Sequence, residues 1–247
     1  MRQMLAFVLL ALVVSATGVW GQTVATGLYA EGNALYRQGD FEASRQRYQE
    51  ATETGVRDAR LFYNLGNACF KSERLGEAVL WYERALRLAP RDEDVLANLR
   101  FLRRIKRDQD PAGQGDGIYG LYLWPTLSEL FGATSLGLFG LLVAACWRLW
   151  RRPGMSAQVV LMILGLWVLG AGIVTGTRLQ RELTRTEAVV LVEEGTARSG
   201  PETSQTSVFV VHEGTKVIVE RQEDGWLLVR LANGLGGWLP EAVVAII

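Results

Sequence analysis

One histidine, two cysteines and no net charge set the first limits on this chain of 247 residues. The single histidine, His212, stands beside a turn and reads as a solvated polar residue. No metal-ligand cluster, nucleophile motif or phosphate-cradling loop occurs along the sequence, so nothing is present to carry catalysis. The expectation is a non-enzymatic protein with no catalytic residue, no cofactor and no metal. Two cysteines are too few for a disulfide framework. Cys69 reads as a core residue, and Cys146 lies inside a long apolar stretch. The 26 basic and 26 acidic residues cancel, which excludes a global field that would draw in nucleic acid.

Charge is also missing from two long stretches, Leu130 to Trp147 and Pro153 to Thr177. A short basic loop with Arg148, Arg151 and Arg152 separates them. Each stretch is near the length of about 20 apolar residues that a membrane span needs. They predict a transmembrane helical hairpin, with helices over 130–150 and 155–177. Gly132, Gly137, Gly140, Gly165, Gly170, Gly172 and Gly176 are expected to let the helices approach, Gly172 and Gly176 as a Gly-x-x-x-Gly pair. A hairpin returns the chain to its starting side. Residues 111–129 hold no Lys or Arg, so the positive-inside bias places the arginine loop in the cytoplasm and both flanks outside. Arg178, Arg181 and Arg185 weaken that count beyond the second stretch. At the other end, Arg2 and the apolar run Leu5 to Val14 predict a signal peptide over 1–21, or an uncleaved signal anchor. No cysteine follows that run to serve as a lipoprotein anchor.

The amino-terminal part repeats itself. Tyr29, Gly32, Asn33 and Ala34 recur in the same order as Tyr63, Gly66, Asn67 and Ala68, and Tyr48 and Ala51 recur as Tyr82 and Ala85. The constant interval, about 34 residues, is the length of one helix–turn–helix unit. Gly66 and Ala78 are small where two helices would cross, and Pro90 would stop the second helix. Val95, Leu96, Leu99, Leu102 and Ile105 have the spacing of a capping helix. The stretch Leu61 to Pro90 resembles a tetratricopeptide repeat, with Phe62, Leu65, Gly66, Ala78, Tyr82, Ala85 and Pro90 at signature positions. Cys69 stands where that family usually has tyrosine, and Ser44 replaces an alanine in the looser first copy.

The resemblance implies an all-α helical array over 22–107 that binds extended peptides on a concave face. The family's concave positions fall on Tyr29, Asn33, Tyr36, Arg37, Tyr63, Asn64, Asn67, Phe70, Lys71 and Asn98. Tyr36 and Phe70 are open to a second reading as packing residues. The asparagines are expected to pair with a peptide backbone while pointing away from the helix-pair core. Family members that clamp an acidic chaperone terminus carry basic residues where Tyr29, Asp94 and Asn98 stand here, which argues against that ligand.

Residues 108–129 read as a Gly-, Asp- and Pro-rich linker leading to an interfacial segment with Tyr119, Tyr122 and Trp124. From residue 186 to 247 the period becomes two. Five strands are expected, Ala188–Val192, Ser207–Val211, Lys216–Glu220, Trp226–Leu231 and Gly236–Leu239, separated by turns such as Asp224-Gly225 and Asn233-Gly234. With Gly214-Thr-Lys-Val217, Asp224-Gly-Trp226 and Gly237-Trp-Leu239, this tail resembles a bacterial SH3 domain, a small all-β barrel. Trp226 and Trp238 either line a surface groove there or pack in its core or rim.

The order of these parts, with NLGN, YERALRL and DEDVLANL between Leu61 and Asn98, resembles the BatE family of the Bacteroides aerotolerance group. That resemblance implies a bacterial inner-membrane protein with both folded domains in the periplasm. It also implies protein partners, the Bat membrane proteins with von Willebrand A domains, in an aerotolerance or envelope-stress complex. The alternative is a wall-associated protein whose SH3-like domain binds peptidoglycan while the repeats recruit an enzyme.

Overall fold

Asp40, Asp58 and Asp92 each begin a helix by accepting backbone N–H groups that the first turn leaves unpaired: Asp40 from Ala43, Asp58 from Arg60 and Leu61, Asp92 from Asp94 and Val95. In the computed structural model, which describes residues 23–105, 125–150 and 155–247, these caps open three of five amino-terminal helices. The five are α1 (23–38), α2 (Phe41–Glu53), α3 (Ala59–Lys71), α4 (Leu75–Leu88) and α5 (Glu93–Ile105). The signal over 1–21, the segment 106–124 and Arg151 and Arg152 lie outside the described residues.

The helices pack in sequence, α2 on α3, α3 on α4 and α4 on α5. Two Gly–Tyr contacts repeat along them. A Cβ on Gly32 would lie 2.5 Å from the Tyr48 ring, and one on Gly66 would lie 2.7 Å from the Tyr82 ring. Both tyrosines are fully buried, so each glycine makes room for an aromatic ring between helices. Ser44 is also fully buried, and its hydroxyl donates to the Gly32 carbonyl at 2.8 Å, which satisfies it where the repeat usually has alanine. Cys69 packs in this core beside Glu77, and burial pushes its thiol pKa up. α4 ends at Leu88, two residues before Pro90. α5 buries Val95, Leu99 and Leu102, but Ile105 stays exposed, so the last position of the expected capping stripe lies outside the core.

The carboxyl-terminal part is an antiparallel sheet of seven strands. They are β1 (Thr186–Val190), β2 (Glu194–Arg198), β3 (Ser207–His212), β4 (Lys216–Glu223), β5 (Trp226–Arg230), β6 (Gly236–Pro240) and β7 (Val244–Ile246), in the order β3-β2-β6-β5-β4-β1-β7. Two more strands form than the five expected. β2 reads Glu-Gly-Thr-Ala-Arg and buries only Gly195 and Ala197, so it lacks an apolar alternation. β7 has three residues and pairs with β1, too short a run to carry a period. The Asp224-Gly225 turn has positive φ at both residues, as the tight turn between β4 and β5 requires.

β1 has two buried faces. Ala188 and Val190 join the sheet's core with Val211, Val217, Leu227, Val229 and Leu239, while Val189 joins the core of the helices. The helices up to α5 and the sheet from Glu187 onward belong to one compact unit.

A second compact unit holds α6 (Leu127–Trp150) and α7 (Met155–Thr184). Both are long and apolar enough to cross a membrane, and little of either apolar window is buried, 11% and 6%. α7 runs past the apolar stretch because Arg178 to Thr184 continues the helix without a breaker. The helices meet at Gly137, where a Cβ would lie 2.6 Å from the Trp167 ring, and at Gly140 beside Leu164. Thr134 and Thr175 hydroxyls lie 3.2 Å apart, and the Trp167 indole donates to the Ala133 carbonyl. The glycine expectation is corrected here. Gly132, Gly165, Gly170, Gly172 and Gly176 have no atom within 4 Å of an added Cβ, so the Gly-x-x-x-Gly pair does not mediate this helix contact. The bulkier Trp167 and Leu164 already fill that seam.

Candidate protein-interaction face

Successive first helices place their asparagines side by side. Asn33 on α1 and Asn64 on α3 meet directly, with the Asn64 amide donating to Asn33 Oδ1 at 3.2 Å and to the Tyr29 hydroxyl at 2.8 Å. One repeat further, Asn98 on α5 donates to Asn67 Oδ1 at 3.1 Å and to the Tyr82 hydroxyl at 3.2 Å. The tyrosines complete both clusters. Tyr48 donates to Asn33 Oδ1 at 2.7 Å, and Tyr82 to Asn67 Oδ1 at 2.6 Å. The tyrosine–asparagine and asparagine–asparagine bonds recur at the repeat interval, a consequence of the repeat, while the second bond of Asn64 goes to Tyr29 and that of Asn98 to Tyr82. Burial pushes the Tyr82 and Tyr48 phenols above their ordinary pKa, so both stay protonated as donors.

These bonds correct the expectation that the asparagines point away from the helix-pair core. Asn67 Oδ1 receives the hydroxyl of a buried tyrosine, so its replacement would strand that group. They also define what remains free. Each Oδ1 of Asn33 and Asn67 already accepts two hydrogen bonds, while their Nδ2 groups donate to no other described residue. Both asparagines line a depression of about 130 Å³ with Tyr36, Arg37, Tyr48 and Asn64. Amide donors in a shallow polar groove suit peptide carbonyls or a carboxylate.

Arg37 is the charged residue that lines this depression, and Lys71 lines a neighbouring one with Asp40, Glu42 and Arg74. Arg37 and Lys71 are exposed and have no acidic partner among the described residues. Lys71 lies 6.0 Å from the centre of the Phe41 ring. Tyr36 packs edge-on against Phe41 with ring centres 5.1 Å apart, and Phe70 against Phe101 of α5 at 5.8 Å. Tyr36 and Phe70 therefore have packing partners of their own. Tyr63 is tilted against Tyr82 at 5.9 Å. Phe101 was missed by sequence reasoning. It stands one repeat interval after Asn67, so carrying that interval into α5 would have found it, together with Arg104 after Phe70.

The structure separates Trp226 from Trp238 in exposure. Pairing of Trp226 with Pro240 and of Leu228 with Trp238 puts both tryptophans on one face of the sheet, opposite the Leu227–Leu239 core pair. Trp238 is only 8% exposed, whereas Trp226 is half-buried.

A family model for the tetratricopeptide repeat matches residues 29–93. The chain thus carries tetratricopeptide repeats, a protein-protein interaction module. No curated protein matches the chain.

Proposed function

We propose that this protein is a non-enzymatic membrane-anchored scaffold that presents the repeat groove and an SH3-like carboxyl-terminal domain in the bacterial periplasm. Its partners are Bat-type membrane proteins with von Willebrand A domains, in an aerotolerance or envelope-stress complex. The observation that carries the interaction role is the groove itself: unengaged amide donors of Asn33 and Asn67 beside Arg37, which lacks an acidic partner among the described residues, with the exposed cation Lys71 on the neighbouring first helix α3. An extended, mildly acidic segment suits that chemistry. Anchoring is supported by α6 and α7, where Leu136 is 73% exposed and Phe139 65%, surfaces that water would not tolerate over two whole helices. Both flanks of this apolar pair fold into one unit, which supports a shared compartment for them.

Charge reversal tests the groove better than removal of asparagines that hold tyrosines. Arg37→Glu with Lys71→Glu should leave the helical fold intact and reduce partner recovery from native membranes at least about tenfold, the loss of one to two charged hydrogen bonds. A photo-crosslinker at position 37 should label a membrane protein with a von Willebrand A domain. Equal recovery from both forms would move the binding surface elsewhere. Retention of the chain on purified cell wall would instead support the peptidoglycan reading, for which half-exposed Trp226 is the candidate contact.

Topology has its own test. Reporter fusions at Gly113 and Thr196 should both report the periplasm, and one at Pro153 the cytoplasm. A cytoplasmic signal at Gly113 would overturn the orientation.

A further inference from the structure

α4 is the helix among α2 to α5 that begins without a capping side chain from its own neighbourhood. Its N-cap position is Arg74, which makes no side-chain cap bond, whereas α2, α3 and α5 have Asp40, Asp58 and Asp92. The missing acceptor comes from the far end of the chain. Glu213, in the turn between β3 and β4, accepts the Gly76 N–H through Oε1 at 2.7 Å. A carboxylate there also meets the positive end of the helix dipole.

The approach depends on two glycines. A Cβ at Gly76 would lie 2.7 Å from the Val190 carbonyl oxygen and 2.8 Å from Glu213 Cγ. Gly214 holds a φ of +79°, and a Cβ there would lie 3.3 Å from Val79. Further along the same helix, Lys216 Nζ sits 3.1 Å from Glu83 Oε2 and 3.3 Å from Glu187. Arg87 donates to the Ile247 carbonyl at 2.8 Å. Gly76, Val79, Glu83 and Arg87 follow a spacing of three and four, so they form one stripe of α4. Ala78, Tyr82 and Ala85 form the opposite stripe, which packs in the helical core. A helix buried on both sides needs a partner on each.

We propose that the Gly76–Val79–Glu83–Arg87 stripe is a docking surface for the chain's own carboxyl-terminal sheet, and that Glu213 is the cap of α4 supplied across this junction. The partner it fits is a β-turn reading acid-Gly-x-Lys, here Glu213-Gly214-Thr215-Lys216. The acid meets the helix N-terminus, the glycine passes over Val79, and the lysine reaches the buried carboxylate of Glu83. This stripe lies on the side of α4 away from Tyr82 and its bonds to Asn67 and Asn98, so the inference stands apart from the ligand of the groove.

Amide hydrogen exchange on the full chain in detergent micelles reads the bond directly, because Gly76 has this one acceptor. Glu213→Ala should speed exchange at Gly76 by about tenfold or more, as loss of one hydrogen bond to a charged group implies. Glu213→Gln keeps a carbonyl acceptor and should retain most of the protection. The amides of α3 serve as an internal control and should change little with either substitution. Equal exchange at Gly76 in the wild type and Glu213→Ala would overturn the cap. So would a glutamine form as unprotected as the alanine form. Mixing a Glu213→Ala chain with a Gly76→Val chain adds the last arm. Protection restored at Gly76 of the alanine chain would show docking between copies and overturn the intramolecular partner.

Discussion

Gly66→Val should be among the most damaging single changes in the helical part. A Cβ at this position falls 2.7 Å from two atoms of the Tyr82 ring, closer than real contacts allow, and the two further methyl groups of valine have no space beyond it. Tyr82 cannot move aside easily, because its hydroxyl is tied to Asn67 and Asn98 and its ring is packed to 1% exposure. The expected loss is about 3 kcal/mol, the upper part of the range for overpacked cores. Gly27→Ala supplies the contrast. No atom lies within 4 Å of its added methyl, so it should be neutral or gain up to about 1 kcal/mol from helix propensity. Thermal unfolding of both variants in the same detergent checks the pair. Equal midpoints would mean that α3 and α4 can separate without cost.

Lys216→Met should cost about as much, for an electrostatic reason. Glu83 has a side chain only 8% exposed and is held by Lys216 at 3.1 Å and by Arg103 at 3.5 Å. Removing the lysine leaves a buried carboxylate with the longer of its two ion pairs, and Glu187 loses a neighbour as well. Breaking one side of a buried pair costs about 3–5 kcal/mol, and the remaining arginine places this case at the lower end. The double change Lys216→Met with Glu83→Leu should recover most of that loss, since an apolar pair of similar size avoids the desolvation of both charges.

The pH dependence has a definite sign. Burial works against the Lys216 charge, but Glu83 and Glu187 outweigh it and its pKa is raised above the ordinary 10.5. The lysine's contribution is therefore complete below 10.5 and is lost as pH rises through the higher folded value. The stability gap between wild type and Lys216→Met should be constant near neutrality and narrow in alkali. A gap unchanged up to unfolding would show that the lysine charge contributes nothing.

Much of this was open to reading because it rests on local chemistry. The repeat interval places Gly32 with Tyr48 and Gly66 with Tyr82, and helices of fixed rise then bring those pairs together. Asp-Gly at 224–225 can satisfy only a narrow set of turns. The two uncharged stretches can become long apolar helices and little else. The candidate groove was legible for the same reason, since its residues follow the repeat. Their division into structural and unengaged atoms was not. That Asn67 Oδ1 accepts Tyr82 and Asn98 while its Nδ2 stays unengaged depends on the placement of α3 against α4 and α5, a matter of packing distances that spacing does not contain.

β2 and β7 were hidden because their pairing comes from neighbours across the sheet, and neither has a hydrophobic period of its own. The junction of the helices with the sheet lay further out of reach. Arg74 looks like a helix start left uncapped, and Glu213 like one more acid in a turn. Nothing in local propensity links positions so far apart along the chain. By itself the sequence determined the repeat, the two apolar helices and most of the strands, because those follow from periodicity and from the solvent each side chain prefers. Tertiary structure alone decided that Glu213 caps α4, that Glu83 is buried with Lys216, and that Val189 belongs to the helical core. Such contacts form between surfaces, and a surface exists only after its elements have folded.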